Sequence, residues 1–145
     1  MSDIKIVVPK ASDVDVMVAW GKSNREIQAT DDDQWYAPET LRRWIRDPQD
    51  DIILVAKYGE KLVGMCLVHT LRDFAYCSVL FVHKDYRGKG VGSTLIHTVI
   101  EKLKKTGIPG FGLLVEEENI DSQAFYEKFG FKKGHVFRWM DKKLR

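Results

Sequence analysis

Cysteine is scarce in this chain. Only Cys66 and Cys77 occur in 145 residues, both inside apolar runs that read as strands. That count excludes a disulfide framework, and the two thiols are expected as buried core groups. Four scattered histidines and no Cys or His pair at ligand spacing leave no basis for a metal site, so none is expected. An excess of one charge is also missing. Twenty-three Lys and Arg stand against 21 Asp and Glu, a net charge of +2, so no overall field points to nucleic acid or an anionic membrane. No run of about 18–20 apolar residues exists, which excludes a membrane-spanning helix. Met1-Ser2-Asp3-Ile4-Lys5 lacks a basic leader region, and no small-residue cleavage site precedes Pro9 and Lys10, so a cytoplasmic location is expected. Repeats, low-complexity tracts and linkers are absent, and the length suits one domain over 1–145.

What the chain does have is 44% hydrophobic and 30% charged residues, enough to build a core. Ile4 to Val8 is a β-branched run stopped by Pro9, a first strand. Ser12 with Asp15 three residues on predicts a helix start, and Val14, Met17 and Val18 carry that helix to about Trp20, with Gly21 closing it. A polar stretch containing Asp31-Asp32-Asp33 follows. Pro38-Glu39-Thr40 then opens a second helix, with Leu41, Trp44 and Ile45 on one face, and Asp47-Pro48 ends it. Asp51–Tyr58 and Lys61–Thr70 are strand-like runs joined by Gly59-Glu60, a hairpin signal. Phe74–Val82 follows after a short turn, so three antiparallel strands are predicted.

After Val82 the pattern turns polar and glycine-rich, and then Val91, Leu95, Ile96, Val99, Ile100 and Leu103 recur at helical spacing. Phe111–Val115 reads as a strand, and Ser122–Phe129 as a helix closed by Gly130. Phe131 and Val136–Met140 supply two last strands. The order is β-α-α-β-β-β-α-β-α-β-β, an α/β fold with a central mixed sheet. A helical crossover makes the fourth and fifth strands parallel. Such strands can splay at their C-terminal ends, where open α/β sheets bind ligands.

The polar link places Gly88, Gly90 and Gly92 at the start of the long helix, where backbone N–H groups lack intrahelical partners. Glycines let a phosphate approach the backbone, and the helix dipole adds about half a positive charge. Arg87 and Lys89 bring full charges, and Ser93 and Thr94 offer hydroxyls. Gly92-Ser93 lacks the lysine a Walker A loop requires, and a dinucleotide fingerprint would follow the first strand of a parallel unit. ATP or NAD binding is therefore disfavoured.

Arg87-Gly88-Lys89-Gly90-Val91-Gly92 resembles the coenzyme A loop of the GNAT acetyltransferase superfamily, Arg/Gln-x-x-Gly-x-Gly/Ala, at every fixed position. Phe81 to Tyr86 and the following amphipathic helix extend the resemblance. Asn119-Ile120-Asp121-Ser122-Gln123-Ala124-Phe125-Tyr126-Glu127-Lys128-Phe129-Gly130-Phe131 is similar to the family's second coenzyme-contacting segment, with Ser122 where the family usually has Ala. The resemblance implies the GNAT fold, splayed between strands 4 and 5, and direct transfer of acetyl from acetyl-coenzyme A to a primary amine of a small molecule or peptide. It further implies coenzyme contacts from the main chain of Leu80, Phe81 and Val82 beside a strand bulge, and from Arg87, Gly88, Lys89, Gly90, Val91, Gly92, Ser93 and Thr94. Asn119 is implied on the pantetheine arm, and Tyr126 near the thioester sulfur as the general acid for the leaving thiolate.

A general base is also needed, because an alkylamine is protonated at neutral pH. Glu26, Asp31, Asp33, His69, Asp73 and Glu116 all remain open for that role, and His83 is expected to be exposed. Asp31–Asp33 and Glu116–Glu118 suggest an acidic mouth that suits a cationic acceptor, with Trp20, Trp35, Tyr36 and Trp44 as further candidate lining. The other reading is a catalytically silent module that binds acyl-coenzyme A as a sensor. The oligomeric state is left open by the sequence; any homodimer is expected to use exposed strand edges or Phe137–Met140.

Overall fold

Residues 3–31 and 35–144 are described by the computed structural model. They fall into two compact units, Met1–Gly112 and Leu113–Arg145. The elements run β1 (Ile4–Val7), α1 (Val14–Ser23), α2 (Pro38–Arg46), β2 (Ile52–Tyr58), β3 (Lys61–Thr70), β4 (Phe74–Val82), α3 (Val91–Thr106), β5 (Gly110–Leu113) and α4 (Ile120–Glu127). The sheet has the order β1-β2-β3-β4-β5, with β1 to β4 antiparallel. The α3 crossover brings β5 in parallel to β4. No helix among the described residues is long and apolar enough to cross a membrane.

Strand alternation sends one set of side chains to each face of the sheet. On one face α1 and α2 bring Val14, Met17, Val18 and Leu41 onto Ile53, Val55, Leu62, Met65, Leu67, Val79 and Phe81. On the other, α3 buries Val91, Leu95, Ile96, Val99 and Leu103, five of the six helical-period residues of the sequence, and Ile100 is half-buried. Each fully buried side chain of this kind contributes about 1.5–3 kcal/mol. Gly64 sets how closely α3 approaches: a Cβ there would stand 3.0 Å from the Phe81 carbonyl and 3.3 Å from Leu95.

Three expectations need correction. The first helix does not stop at Gly21 but runs to Ser23, because Gly21 is the flat spot against which the Trp35 indole packs, its ring atoms 2.0–2.4 Å from where a Cβ would be. That helix is also not capped by Ser12. Instead Asp13 Oδ2 accepts from the Lys10 N–H at 2.8 Å. Lastly, no strand forms over 131–144 among the described residues. Val136, Phe137, Trp139 and Met140 are exposed there, and apolar alternation without a ladder partner does not make a strand.

Candidate functional site

The loop ahead of α3 is shaped by two left-handed glycines. Gly88 has φ +73° and Gly90 φ +83°, and nothing lies within 4 Å of a Cβ at either. L-residues rarely take such angles, so glycine is required, and the missing side chains leave the space before the helix open. Gly90 is the N-cap of α3, and Thr94 is the first helical residue whose amide finds its carbonyl, Gly90 O at 3.0 Å. The amides of Val91, Gly92 and Ser93 therefore project from the helix end, with no acidic residue in the first turn. That is a receptive surface for an anion such as a pyrophosphate. The Thr94 hydroxyl is already engaged, donating to Gly90 O at 2.9 Å.

Arg87 is held at the base of the loop. Its Nε donates to Val82 O at 2.8 Å, its Nη2 donates to Glu26 Oε1 at 2.6 Å, and its guanidinium lies 5.5 Å from the Phe81 ring centre. Glu26, one of the candidate bases, is thus the partner that fixes this arginine. Lys89 is the more open cation, donating to Asp85 O at 3.4 Å. His83 is half-buried rather than exposed. Its Nδ1 accepts from Asp85 N at 3.2 Å, and its ring sits 6.3 Å from Trp20.

Along β4, Leu80, Phe81 and Val82 pair in regular register with Cys66, Met65 and Gly64. The irregularity falls earlier: Leu67 faces Val79 and Val68 faces Cys77, which leaves Ser78 as the extra residue of a bulge. On the other side of β4, the four-residue β5 lies by Phe74, since a Cβ on Gly112 would stand 2.8 Å from Phe74 Cζ. Four residues starting there cannot cover nine, so the outer edge of Leu80–Val82 keeps main-chain groups without a β5 partner.

A hollow of about 420 Å³ opens on the α2 side, lined by Tyr36, Thr40, Arg43, Trp44, Asp47 and His69. His69 stacks on Trp44 with ring centres 4.6 Å apart, and its Nε2 is bonded to Tyr36 Oη at 2.8 Å. The same Oη lies 2.8 Å from Ser78 Oγ on the bulge. Asp51 holds the back of the cluster, accepting from Trp44 Nε1 at 2.9 Å and from Thr70 N at 2.6 Å. Burial lowers the His69 imidazole below its ordinary range, partly opposed by the Asp51 charge. Burial likewise raises Tyr36, an effect that the Ser78 hydrogen bond reduces. A second hollow of about 510 Å³ lies elsewhere, between Lys10, Asp13, Trp20, Lys57, Lys61 and His83.

The other candidates disperse. Asp31 pairs with Arg25 at 3.2 Å on the surface, and Asp73 is exposed. Asp32 and Asp33 lie outside the described residues. Trp20 packs on Phe81 at 5.1 Å, as a core residue would. Cys66 and Cys77 are buried with their sulfurs 3.8 Å apart.

In the second unit, Asn119 caps α4, its Oδ1 accepting from Ser122 N at 3.1 Å. Tyr126 packs edge-on against Phe125 at 5.1 Å and Phe131 at 5.6 Å. Gly130, with φ +90°, ends the helical turns as expected. Glu116 is exposed. Three participants were missed from sequence: Ser78, Asp51 and Gly64. Only Gly64, a glycine inside an apolar strand, left a signal.

Comparison with known proteins agrees with this geometry. The family model for the acetyltransferase (GNAT) family matches residues 17–131. A putative [ribosomal protein bS18]-alanine N-acetyltransferase of Bacillus subtilis is 26% identical over 102 residues, 70% of this chain and 67% of that protein. An uncharacterised N-acetyltransferase of Methanocaldococcus jannaschii is 30% identical over 115 residues, 74% of this chain, which spans only 49% of that longer protein. The crystal structure of the PaiA N-acetyltransferase of Thermoplasma acidophilum in complex with coenzyme A superposes with a TM-score of 0.78, at 21% identity over 92% of each chain.

Proposed function

The chain belongs to the acetyltransferase (GNAT) family and is an N-acetyltransferase that draws on acetyl-coenzyme A, and we propose that it acetylates a primary amine by direct attack. The carrying observation is the pair of left-handed glycines, Gly88 and Gly90, in front of the free amides of Val91, Gly92 and Ser93. This is where the pyrophosphate of the coenzyme would be held. Lys89 supplies charge there, and Arg87 braces the loop through Glu26. Leu80–Val82 would meet the pantetheine arm with main-chain groups. An N–H aimed at the thioester carbonyl would also stabilise the oxyanion, commonly by a few kcal/mol.

For the second unit the warrant is the motif. Asn119 is assigned to the pantetheine arm, and Tyr126 to protonation of the leaving thiolate, a task within reach of a phenol with an ordinary pKa of about 10. The acceptor is a small-molecule or peptide amine, and the reaction belongs in the cytoplasm.

Calorimetry with acetyl-coenzyme A tests the reading, comparing the native chain with Gly90→Glu. Glutamate at that φ is strained, and it puts bulk and negative charge where the phosphates would lie. Micromolar binding that the substitution reduces at least a hundredfold is expected. A folded native chain that fails to bind would overturn the reading, and binding without turnover of any amine would favour the sensor.

A further inference from the structure

Resting on that functional reading, we propose that the hollow between α2 and the end of β3 receives the acceptor amine, and that Tyr36 takes its proton while passing its own to His69. The geometry carries the assignment. Tyr36 Oη lies 2.8 Å from His69 Nε2 on one side and 2.8 Å from Ser78 Oγ on the other, and both rings line the hollow. Ser78 is the bulge residue of β4, four residues before Val82, or about 13 Å at strand rise. A coenzyme arm running from the loop back along β4 would bring its thioester to this end. The hollow and the proposed acyl group thus meet at the hydroxyl that bridges them.

His69 is suited to store the proton. The groups around it are Tyr36 from the link before α2, Arg43 and Trp44 from α2, Asp47 just after α2, Asp51 from the turn before β2, and Tyr76 from β4. Asp51 spends both oxygens on Trp44 Nε1 and Thr70 N. Burial outweighs the Asp51 charge and lowers the imidazole from its ordinary value, which leaves it free to accept a proton, and stacking on Trp44 fixes its plane.

The step balances. The ammonium of the acceptor gives a proton to Tyr36 Oη as the phenol proton moves to His69 Nε2. The freed nitrogen lone pair forms the C–N bond at the thioester carbonyl, whose π electrons move to oxygen. When the carbonyl re-forms, the C–S bond breaks and sulfur keeps the pair. A second nitrogen proton ends on the thiolate, and His69 returns the first to water. Amide, free coenzyme thiol and one released proton result.

The test uses the full chain with n-butylamine as probe acceptor. In NMR titration without coenzyme, His69 should ionise below the ordinary histidine range, and Tyr36→Phe, which keeps the ring and removes the hydroxyl, should shift that titration. In the pH profile of kcat/KM for the amine, an acid limb should coincide with the His69 titration. His69→Gln should lower kcat/KM about a hundredfold or more and remove the limb, with acetyl-coenzyme A binding within twofold of native. Ser78→Ala, a milder change, should move the limb less than Tyr36→Phe. Activity of His69→Gln within threefold of native, with the limb intact, would overturn the proposal, as would a His69 titration indifferent to Tyr36→Phe. Failure of the functional reading is distinct, because it appears as absent coenzyme binding in the native chain.

Discussion

At the scale of single residues, close approach decides more than propensity. Gly21 lies inside α1, where alanine would ordinarily gain about 0.5–1 kcal/mol of helix propensity. Here a Cβ would fall 2.0 Å from Trp35 Cδ2. Trp35 can move aside only by disturbing its edge-on contact with Tyr36 at 5.1 Å, and overpacking of this kind costs about 1–3 kcal/mol. Gly21→Ala is therefore expected to lose about 1–2 kcal/mol net in urea unfolding and to weaken the Tyr36–His69 bond. A stabilised variant would mean that the indole slides away freely. From sequence, a glycine that ends a helix and one that admits a ring beside it look the same, which is why α1 reads one turn short.

At the scale of elements, the periodic patterns made most of the first unit legible. The meander β2–β4, the face of α3 and the Pro38 start of α2 all follow from spacing and punctuation. Contacts between distant positions were not legible, since no local pattern marks them. The clearest is Lys57, a lysine in β2 that is buried instead of exposed. Its Nζ lies 3.0 Å from Asp13 Oδ2, with 9% and 11% of the two side chains exposed. The register of β2 on β3 slips at Ala56/Lys57, and the pair ties that slip to the start of α1. Asp13→Ala would strand a buried ammonium and should cost about 3–5 kcal/mol, whereas Asp13→Ala with Lys57→Met should recover most of it. Chemical denaturation of the native chain, both single variants and the double variant measures the coupling. A double variant no better than Asp13→Ala alone would show that the pair does not act as a unit.

At the scale of the whole molecule, the candidate site was half visible. The loop before α3 was legible because glycine spacing and charge sit in one continuous stretch. The Tyr36–His69–Ser78 cluster was not, because it joins a link, the end of one strand and the bulge of another. That cluster also contributes to how the fold responds to pH. Burial lowers His69, so between the folded and ordinary values, the latter about 6.5, the unfolded chain binds more protons and stability rises with pH. Acidification from about pH 6.5 downward should therefore weaken the fold. Tyr36 and Tyr76 are raised by burial, and Cys66 by its hydrogen bond to Cys77 and by burial. Each ionises earlier in the unfolded chain, so stability should also fall as pH climbs past about 8.5–10, the ordinary range for thiols and phenols. Melting temperature is expected to plateau near pH 7–8.5 and decline on both sides. His69→Gln should flatten the acid side and leave the alkaline side in place, because it removes one titrating group and no thiol or phenol. An acid limb unchanged in that variant would assign it to carboxylates and detach the cluster from the stability of the fold.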